Sequence, residues 1–272
     1  MSPNMPETPD RLRAVSSRQN SFVKELRAAF HSGGLTSDGD CAVDGVKAVE
    51  EAIRSGMRIS AVFVAESARE RANRLLPQLG SHTETLRLPD EVFRSAVSTE
   101  TPQGIAALVR VKQHSLEDLL RVIEPLIVVT AGLQDPGNLG TVIRSAEAFG
   151  GTGLVATEGT VNPYNPKVVR GSAGSLFRLP IAKSEGLAAI AAMRERGLRI
   201  LATSSHHSTP LPELDLTGPV AIVFGNEGAG VPRDLLKEAD QIIGIPHNPR
   251  VESLNAGIAA SVVLYECARQ RQ

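Results

Sequence analysis

Aromatic residues are scarce: seven Phe, two Tyr and no Trp make up 3% of the 272 residues. Binding of single strands on a platform of stacked rings is therefore not the expectation. Cysteine is nearly absent. Cys41 and Cys267 are too few for a disulfide framework or a cysteine zinc site, and they suit reduced thiols in a cytoplasmic protein. Residues 1–18 lack the apolar core of a secretory signal, and no run approaches the ~20 apolar residues that span a bilayer. An excess of one charge is missing too. Lys plus Arg number 29 against 30 Asp plus Glu, a net −1, so no global field draws in a polyanion. Neither G-x-G-x-x-G nor G-x-x-x-x-G-K-[ST] occurs, which argues against a Rossmann dinucleotide site and a P-loop. No metal cluster is expected, because the pair His206-His207 and the single His247 stand apart from other ligand types.

What is present begins with local positive charge. Arg11, Arg13, Arg18, Lys24 and Arg27 face a single acid, Glu25, between positions 11 and 27. This is either the solvated face of a helix or an RNA-facing arm. Residues 1–15, rich in Pro, Ser and charge, read as a disordered tail. Ser16-Ser17 can cap a helix from 18 to about 30 with Phe22, Leu26 and Ala29 on one face, ended by Gly33-Gly34. Strands at 41–43, 59–65, 85–88 and 105–111 alternate with helices at 46–55, 68–79 and 89–96. These make a small α/β domain over residues 16–111, and residues 112–124 form a linker with a short helix at 116–122.

From Pro125 to Gln272 the alternation restarts. Strands are expected at 126–131, 153–156, 179–182, 198–203, 220–224 and 241–245. Helices are expected at 138–149, 166–173 and 184–196, after Pro232, and from Ser253 onward. This pattern implies a parallel sheet covered on both faces. Leu139, Val142, Ile143, Ala146 and Phe149 stripe one helix; Leu254, Ile258, Val262 and Tyr265 stripe the last. The small residues Ala256, Gly257, Ala259, Ala260 and Ser261 let another backbone approach closely, and the core sheet is the expected neighbour rather than a second subunit.

Three strand-to-helix loops share one build: an apolar strand, a break at Gly or Pro, then a helix. They are Gln134-Asp135-Pro136-Gly137-Asn138-Leu139-Gly140, then Phe224-Gly225-Asn226-Glu227-Gly228-Ala229-Gly230, then Ile245-Pro246 through Glu252-Ser253-Leu254-Asn255. In open α/β sheets ligands sit beyond the carboxyl ends of strands, so the loops point to one shared site. Free backbone amides beside Phe224, Ile245 and Leu254 suit a flat heteroaromatic ring such as adenine. Asn138, Arg144, Asn226, Glu227, Ser253 and Asn255 can hold a ribose and a phosphate. Taken singly, Asn138 and Ser253 also read as helix N-caps. An RNA-binding or ribosome-assembly protein without catalysis stays open beside an enzyme.

At these loops the sequence resembles the SpoU (TrmH-like) family of RNA ribose 2′-O-methyltransferases in the SPOUT superfamily, with all three family motifs in order over residues 125–270. Residues 12–110, from Ser17-Arg18-Gln19-Asn20, resemble the L30e-like substrate-binding domain that many members carry in front. Two positions depart from the family pattern: His247 where Met is usual and Pro249 where Gly is usual. The resemblance implies an α/β fold whose C-terminal parallel-sheet domain carries a deep trefoil knot, and a homodimer formed through it. It implies S-adenosylmethionine as methyl donor, held at Thr203, Phe224, Gly225, Asn226, Gly230, Ile245, Pro246 and Leu254. Arg144 is then expected at the hydroxyl and its phosphate, with Asn138, Ser253 and Asn255 holding Arg144 and the ribose and Glu227 fixing the second loop or Arg144. RNA is the implied partner. The leading domain favours large-subunit ribosomal RNA over transfer RNA, and the Asn/Arg and Ser/Asn pairs favour ribose over base methylation.

Overall fold

The computed structural model describes residues 11–99, 101–205 and 208–272. The described residues form two compact units, those from 11 to 111 with 164–166, and those from 112 to 163 with 167 to 272.

The first unit contains β1 (Arg13–Ala14), α1 (Ser21–Ser32), β2 (Asp40–Asp44), α2 (Val46–Arg54), β3 (Arg58–Ala65), α3 (Arg69–Ala72), β4 (Glu84–Leu88), α4 (Asp90–Ala96) and β5 (Ile105–Arg110). Its sheet runs β1-β4-β3-β5-β2, with β5 antiparallel to both neighbours. The disordered tail expected over 1–15 needs correcting for its described part. Arg13 and Ala14 pair with Leu86 and Arg87, and Leu12 is buried. An open edge on β4 and one apolar side chain are enough to order this stretch. Residues 1–10 lie outside the described residues. The helix expected over 68–79 is broken into α3 and flanking 3-10 turns at Glu66–Ala68 and Leu76–Gln78. Pro77 has no N–H to continue an α-helical ladder. α1 is capped by Asn20, whose side chain accepts from Phe22 N, and it buries Val23, Leu26, Ala29 and Phe30.

The second unit contains α5 (Leu116–Leu119), β6 (Leu126–Ala131), α6 (Pro136–Ala148), β7 (Gly153–Ala156), α7 (Pro166–Gly171), β8 (Ile181–Lys183), α8 (Gly186–Glu195), β9 (Arg199–Thr203), β10 (Thr209–Pro210), β11 (Val220–Gly225), α9 (Arg233–Lys237), β12 (Gln241–Gly244) and α10 (Ala256–Gln270). Seven strands run in the order β10-β12-β9-β11-β6-β7-β8, and every pairing is parallel. Continuous burial along β6 and β11 is the mark of strands covered on both faces. On one face Ile127, Val129, Ile200, Ala221 and Val223 pack with Ile190 and Met193 of α8 and Leu235 of α9. Alternation turns Val128, Ile222 and Phe224 to the other face, where α6 and α10 pack together. Each fully buried Val, Ile or Phe here stabilises the sheet by about 1.5–3 kcal/mol.

α10 buries its small-residue face in the domain as expected, with α6 rather than the sheet as its main neighbour. Gly257, Ala260, Val263, Leu264 and Cys267 are buried, while Ile258, Val262 and Tyr265 are 55%, 37% and 56% exposed. The small residues are the ones that meet the body of the domain. A Cβ on Gly257 would stand 3.1 Å from Cβ of Thr141 on α6, and Ser261 Oγ lies 2.7 Å from Ser145 Oγ. α6 and α10 approach so closely that large side chains are displaced to the outer face.

Candidate functional site

Parallel strands end their carboxyl termini on one edge, so the loops after β6, β9, β11 and β12 converge. The loop after β6 is pinned first. Thr160 Oγ1 donates to Thr130 O (2.7 Å) and accepts from Gly132 N (3.1 Å), while Val161 N donates to Leu133 O (2.8 Å). The loop after β11 folds on itself: Asn226 N donates to Gly230 O (2.9 Å) and Gly230 N to Asn226 O (3.0 Å). Asn226 Oδ1 accepts from Gly228 N and Ala229 N, and its Nδ2 donates to Gly132 O at 2.9 Å. A side chain on Gly225 would run into the backbone of Gly230 and Val231, so only glycine permits this fold-back.

Asn138 was open to reading as an N-cap, and this needs correcting. Asp135 caps α6, its carboxylate accepting from Asn138 N at 2.7 Å. Ser253 is likewise no cap; Asn255 caps α10, accepting from Ile258 N at 3.2 Å. Asp135 and Asn255 are the residues whose backbone turns extended immediately before each helix. Relieved of capping, the Asn138 side chain bridges the loops: Nδ2 donates to Glu227 Oε1 (3.0 Å) and Oδ1 accepts from Asn255 Nδ2 (2.9 Å). Glu227 also accepts from Asp135 N at 3.2 Å and Gln134 N at 3.4 Å. One relay, Glu227–Asn138–Asn255, thus joins all three motif loops. Burial pushes the Glu227 carboxyl up. Hydrogen bonds from the Asn138 amide and from the backbone N–H groups of Glu227, Asp135 and Gln134 outweigh it and hold the pKa below the ordinary value.

Beside the relay lies a cleft of about 240 Å³, lined by Thr203, Phe224, Gly225, Asn226, Glu227, Gly230, Ile245, Ser253 and Leu254 among others. Of the residues expected around a cofactor, Pro246 alone is outside this lining; it is exposed. Thr203 Oγ1 donates to Val223 O at 3.0 Å. Arg144 lies on α6, exposed, with no hydrogen bond or ion pair among the described residues. Ser204, Ser205, Glu252, Ala256, Ala259 and Val263 also line the cleft and were missed. Ser204 and Ser205 follow a strand as the other loops do, and that position was the available signal. His247 sits at the rim, while His206 and His207 lie outside the described residues. Among the described residues no group of three or more His, Cys, Asp or Glu could hold a metal ion.

The basic residues of the first unit are placed differently from one another. Arg11 donates to Leu79 O (3.1 Å) and Gly80 O (2.9 Å), and Arg27 Nε to Ser95 O (3.0 Å). Arg13 pairs with Glu84 and Arg18 with Glu91. Lys24 is exposed on α1. Arg11 and Arg27 therefore serve the fold of their own unit.

Gly-rich loops at the carboxyl edge of a parallel sheet, a cleft of mixed polar and apolar lining and a polar relay joining those loops are the marks of an α/β enzyme domain that binds its ligand at the strand ends. Residues 125–265, just over half of the chain, match the SpoU rRNA Methylase family, and residues 20–107 match the MRM3-like substrate binding domain. The chain belongs to the SpoU rRNA Methylase family and is a methyltransferase. It is 33% identical to an uncharacterised tRNA/rRNA methyltransferase of Synechocystis over 96% of this chain and 95% of that one. It is 29% identical to the 23S rRNA (guanosine(2553)-2′-O)-methyltransferase RlmP of Bacillus subtilis, over 93% and 98%. The crystal structure of an AdoMet-bound rRNA methyltransferase from Sinorhizobium meliloti superposes with a TM-score of 0.80 at 28% identity, covering 95% of this chain and 98% of that one.

Proposed function

We propose that the chain transfers a methyl group from S-adenosylmethionine to a ribose 2′-hydroxyl of large-subunit (23S) ribosomal RNA. The observation that carries this reading is the Glu227–Asn138–Asn255 relay, which sets a polar rim beside the cleft on the helix that bears Arg144. The cleft suits the donor: apolar Phe224, Ile245, Leu254 and Val263 face it, and Gly225 and Gly230 put no side chain into its wall. When bound, S-adenosylmethionine supplies an already electrophilic methyl on its sulfonium. What remains for the protein is to orient the hydroxyl and take up its proton.

Arg144 is the group assigned to that task. A guanidinium stays protonated at any working pH, so Arg144 acts by gripping the phosphate next to the reacting ribose. The hydroxyl proton then leaves toward that phosphate or water. Asn138 and Asn255 hold the rim, Ser253 faces the ribose, and Glu227 fixes the loops. Thr203, Asn226 and Gly230 keep the cleft open.

The RNA preference draws support from the 23S activity of the Bacillus relative and from the match of the leading unit to a substrate-binding domain. Homodimer formation through the outer face of α10 is part of the reading, supported by exposed Ile258, Val262 and Tyr265. A trefoil knot fits the order of elements. β12 lies beyond β9, yet the next element, α10, packs on α6 across the sheet. A crystal structure in which residues 245–255 thread no loop would refute the knot. A cytoplasmic setting agrees with two buried free thiols, whose burial pushes them up to about 12 (Cys41) and about 11 (Cys267), leaving them inert.

The experiment is methyl transfer to a 23S RNA fragment by wild type and Arg144→Ala, with cofactor binding measured alongside. Arg144→Ala is expected to lose turnover by about a thousandfold or more, as when a transition-state group is removed, and to bind cofactor normally. Retained turnover would refute the assignment of Arg144. Methylation of a base would refute the reaction.

A further inference from the structure

The loop between β12 and α10 holds a histidine with two hydrogen-bond partners of the same kind. His247 Nδ1 lies 2.7 Å from the carbonyl oxygen of Ile245, and Nε2 lies 3.1 Å from that of Val251. Carbonyl oxygens only accept. A neutral imidazole has one N–H and one lone pair, so it satisfies one oxygen and turns a lone pair toward the other. The imidazolium donates to both.

This clasp is the connection between residue 251 and the end of β12. The other hydrogen bonds of the segment are local, Val251 N to Asn248 O (2.9 Å) and Arg250 N to Asn248 Oδ1 (3.0 Å). Among the described residues no further hydrogen bond ties 248–253 to the sheet. Yet Ile245, His247, Glu252, Ser253 and Leu254 line the cleft, so the path of this segment shapes its wall.

We propose that His247 is a positioning residue whose protonated ring clasps the third loop in its cofactor-binding form, coupling methyl-donor affinity to pH. The ligand's identity rests on the reading above. Glu227, from the loop after β11, and Glu252, from the loop that carries His247, are the two carboxylates of the cleft wall; Arg250 is the other charged side chain of the His247 loop. The loop after β9 contributes Ser204 and Ser205, and α10 contributes Ala256, Ala259 and Val263, all uncharged.

The sign follows from linkage. If the bound loop holds the imidazolium, the ring's pKa is higher in the complex than in the free protein. The gain in binding is then fully present below the free value, about 6.5 for an unperturbed imidazole, and is lost as pH rises through the value in the complex. Affinity should fall by up to about tenfold per pH unit in that window.

The test is calorimetric titration of S-adenosylhomocysteine and S-adenosylmethionine into the full chain and into His247→Met and His247→Gln, from pH 5.5 to 8.5. The ligands' own amino group titrates in every case and cancels in the ratio of wild type to variant. Wild type is expected to bind about tenfold more tightly at pH 6 than at pH 8 relative to His247→Met, whose affinity stays near the wild-type pH 8 value. His247→Gln, whose donors sit on a single nitrogen and whose other polar atom only accepts, should follow the Met variant. Nitrogen NMR of the wild-type imidazole should place its pKa in the complex at least about one unit above that in the free protein. The same pH profile in the Met variant, or an imidazole pKa unchanged by ligand, would overturn the proposal. Should neither ligand bind wild type at any pH, the cofactor reading fails. The clasp is then judged on the unliganded chain, where amide exchange across residues 248–253 at pH 6 must be faster in His247→Met than in wild type; equal exchange would sink it.

Discussion

Asn138 sits between a partner that can only accept and one that must donate. An ionised Glu227 forces the Asn138 NH2 toward itself. The Asn138 carbonyl is then left to face Asn255, which turns its own NH2 inward and keeps its oxygen for capping α10. The polarity of the relay therefore follows from one carboxylate. Asn138→Asp, nearly isosteric, would set two carboxylates at hydrogen-bond distance, and one must take a proton or the loops must part. Turnover is expected to drop about a hundredfold at pH 8, equivalent to ~2.7 kcal/mol, with partial recovery on acidification; a variant indifferent to pH would contradict this. The wild-type carboxylate has its own window. Since folding lowers the Glu227 pKa, its stabilisation is complete above the unfolded value of about 4.3 and is lost as pH falls through the folded value. In Asn138→Ala acid loosening should begin at higher pH than in wild type, as melts between pH 3 and 6 would report.

The loop after β11 depends on glycine at its first turn. Gly225 ends a strand buried along its whole length, and the chain returns so that Gly230 and Val231 backbone atoms occupy the space where a Cβ would stand. Gly225→Ala must push this backbone outward, with an expected cost of about 1–3 kcal/mol, as for an overpacked core. Because the displaced segment walls the cleft, cofactor affinity should fall more steeply than melting temperature, and an alanine variant with unchanged affinity would show that the fold-back is not part of the ligand wall. Element boundaries themselves were largely legible. Hydrophobic runs located the strands from β6 to β12 to within a residue or two, apart from the two-residue β10, which carries no periodicity. The helix expected at 68–79 was not legible as broken, because the apolar spacing around Leu75 and Leu79 hides what Pro77 does to the ladder.

At the scale of the molecule, the outer face of α10 carries Ile258, Val262 and Tyr265 in solvent, with Phe149 of the turn after α6 edge-on to Tyr265 at 5.8 Å between ring centroids. A contiguous apolar stripe of this kind is what a second copy would cover. Ile258→Asp with Tyr265→Ser is expected to shift the sedimenting species from dimer to monomer, and an unchanged dimer would place the interface elsewhere.

Sequence alone determined the strand and helix alternation, the three loop motifs and, through them, the family, because each is carried by residue type and short-range spacing. It also named the members of the relay. Tertiary structure alone decided that Asp135 and Asn255 cap the helices, which frees Asn138 to join Glu227 to Asn255 across separations of 89 and 117 residues. It also decided that the small-residue side of α10 packs chiefly on α6. Both follow from close approach: hydrogen bonds between distant loops and a small-residue face pressed against α6 depend on where the backbone lies, and spacing along one chain does not encode that.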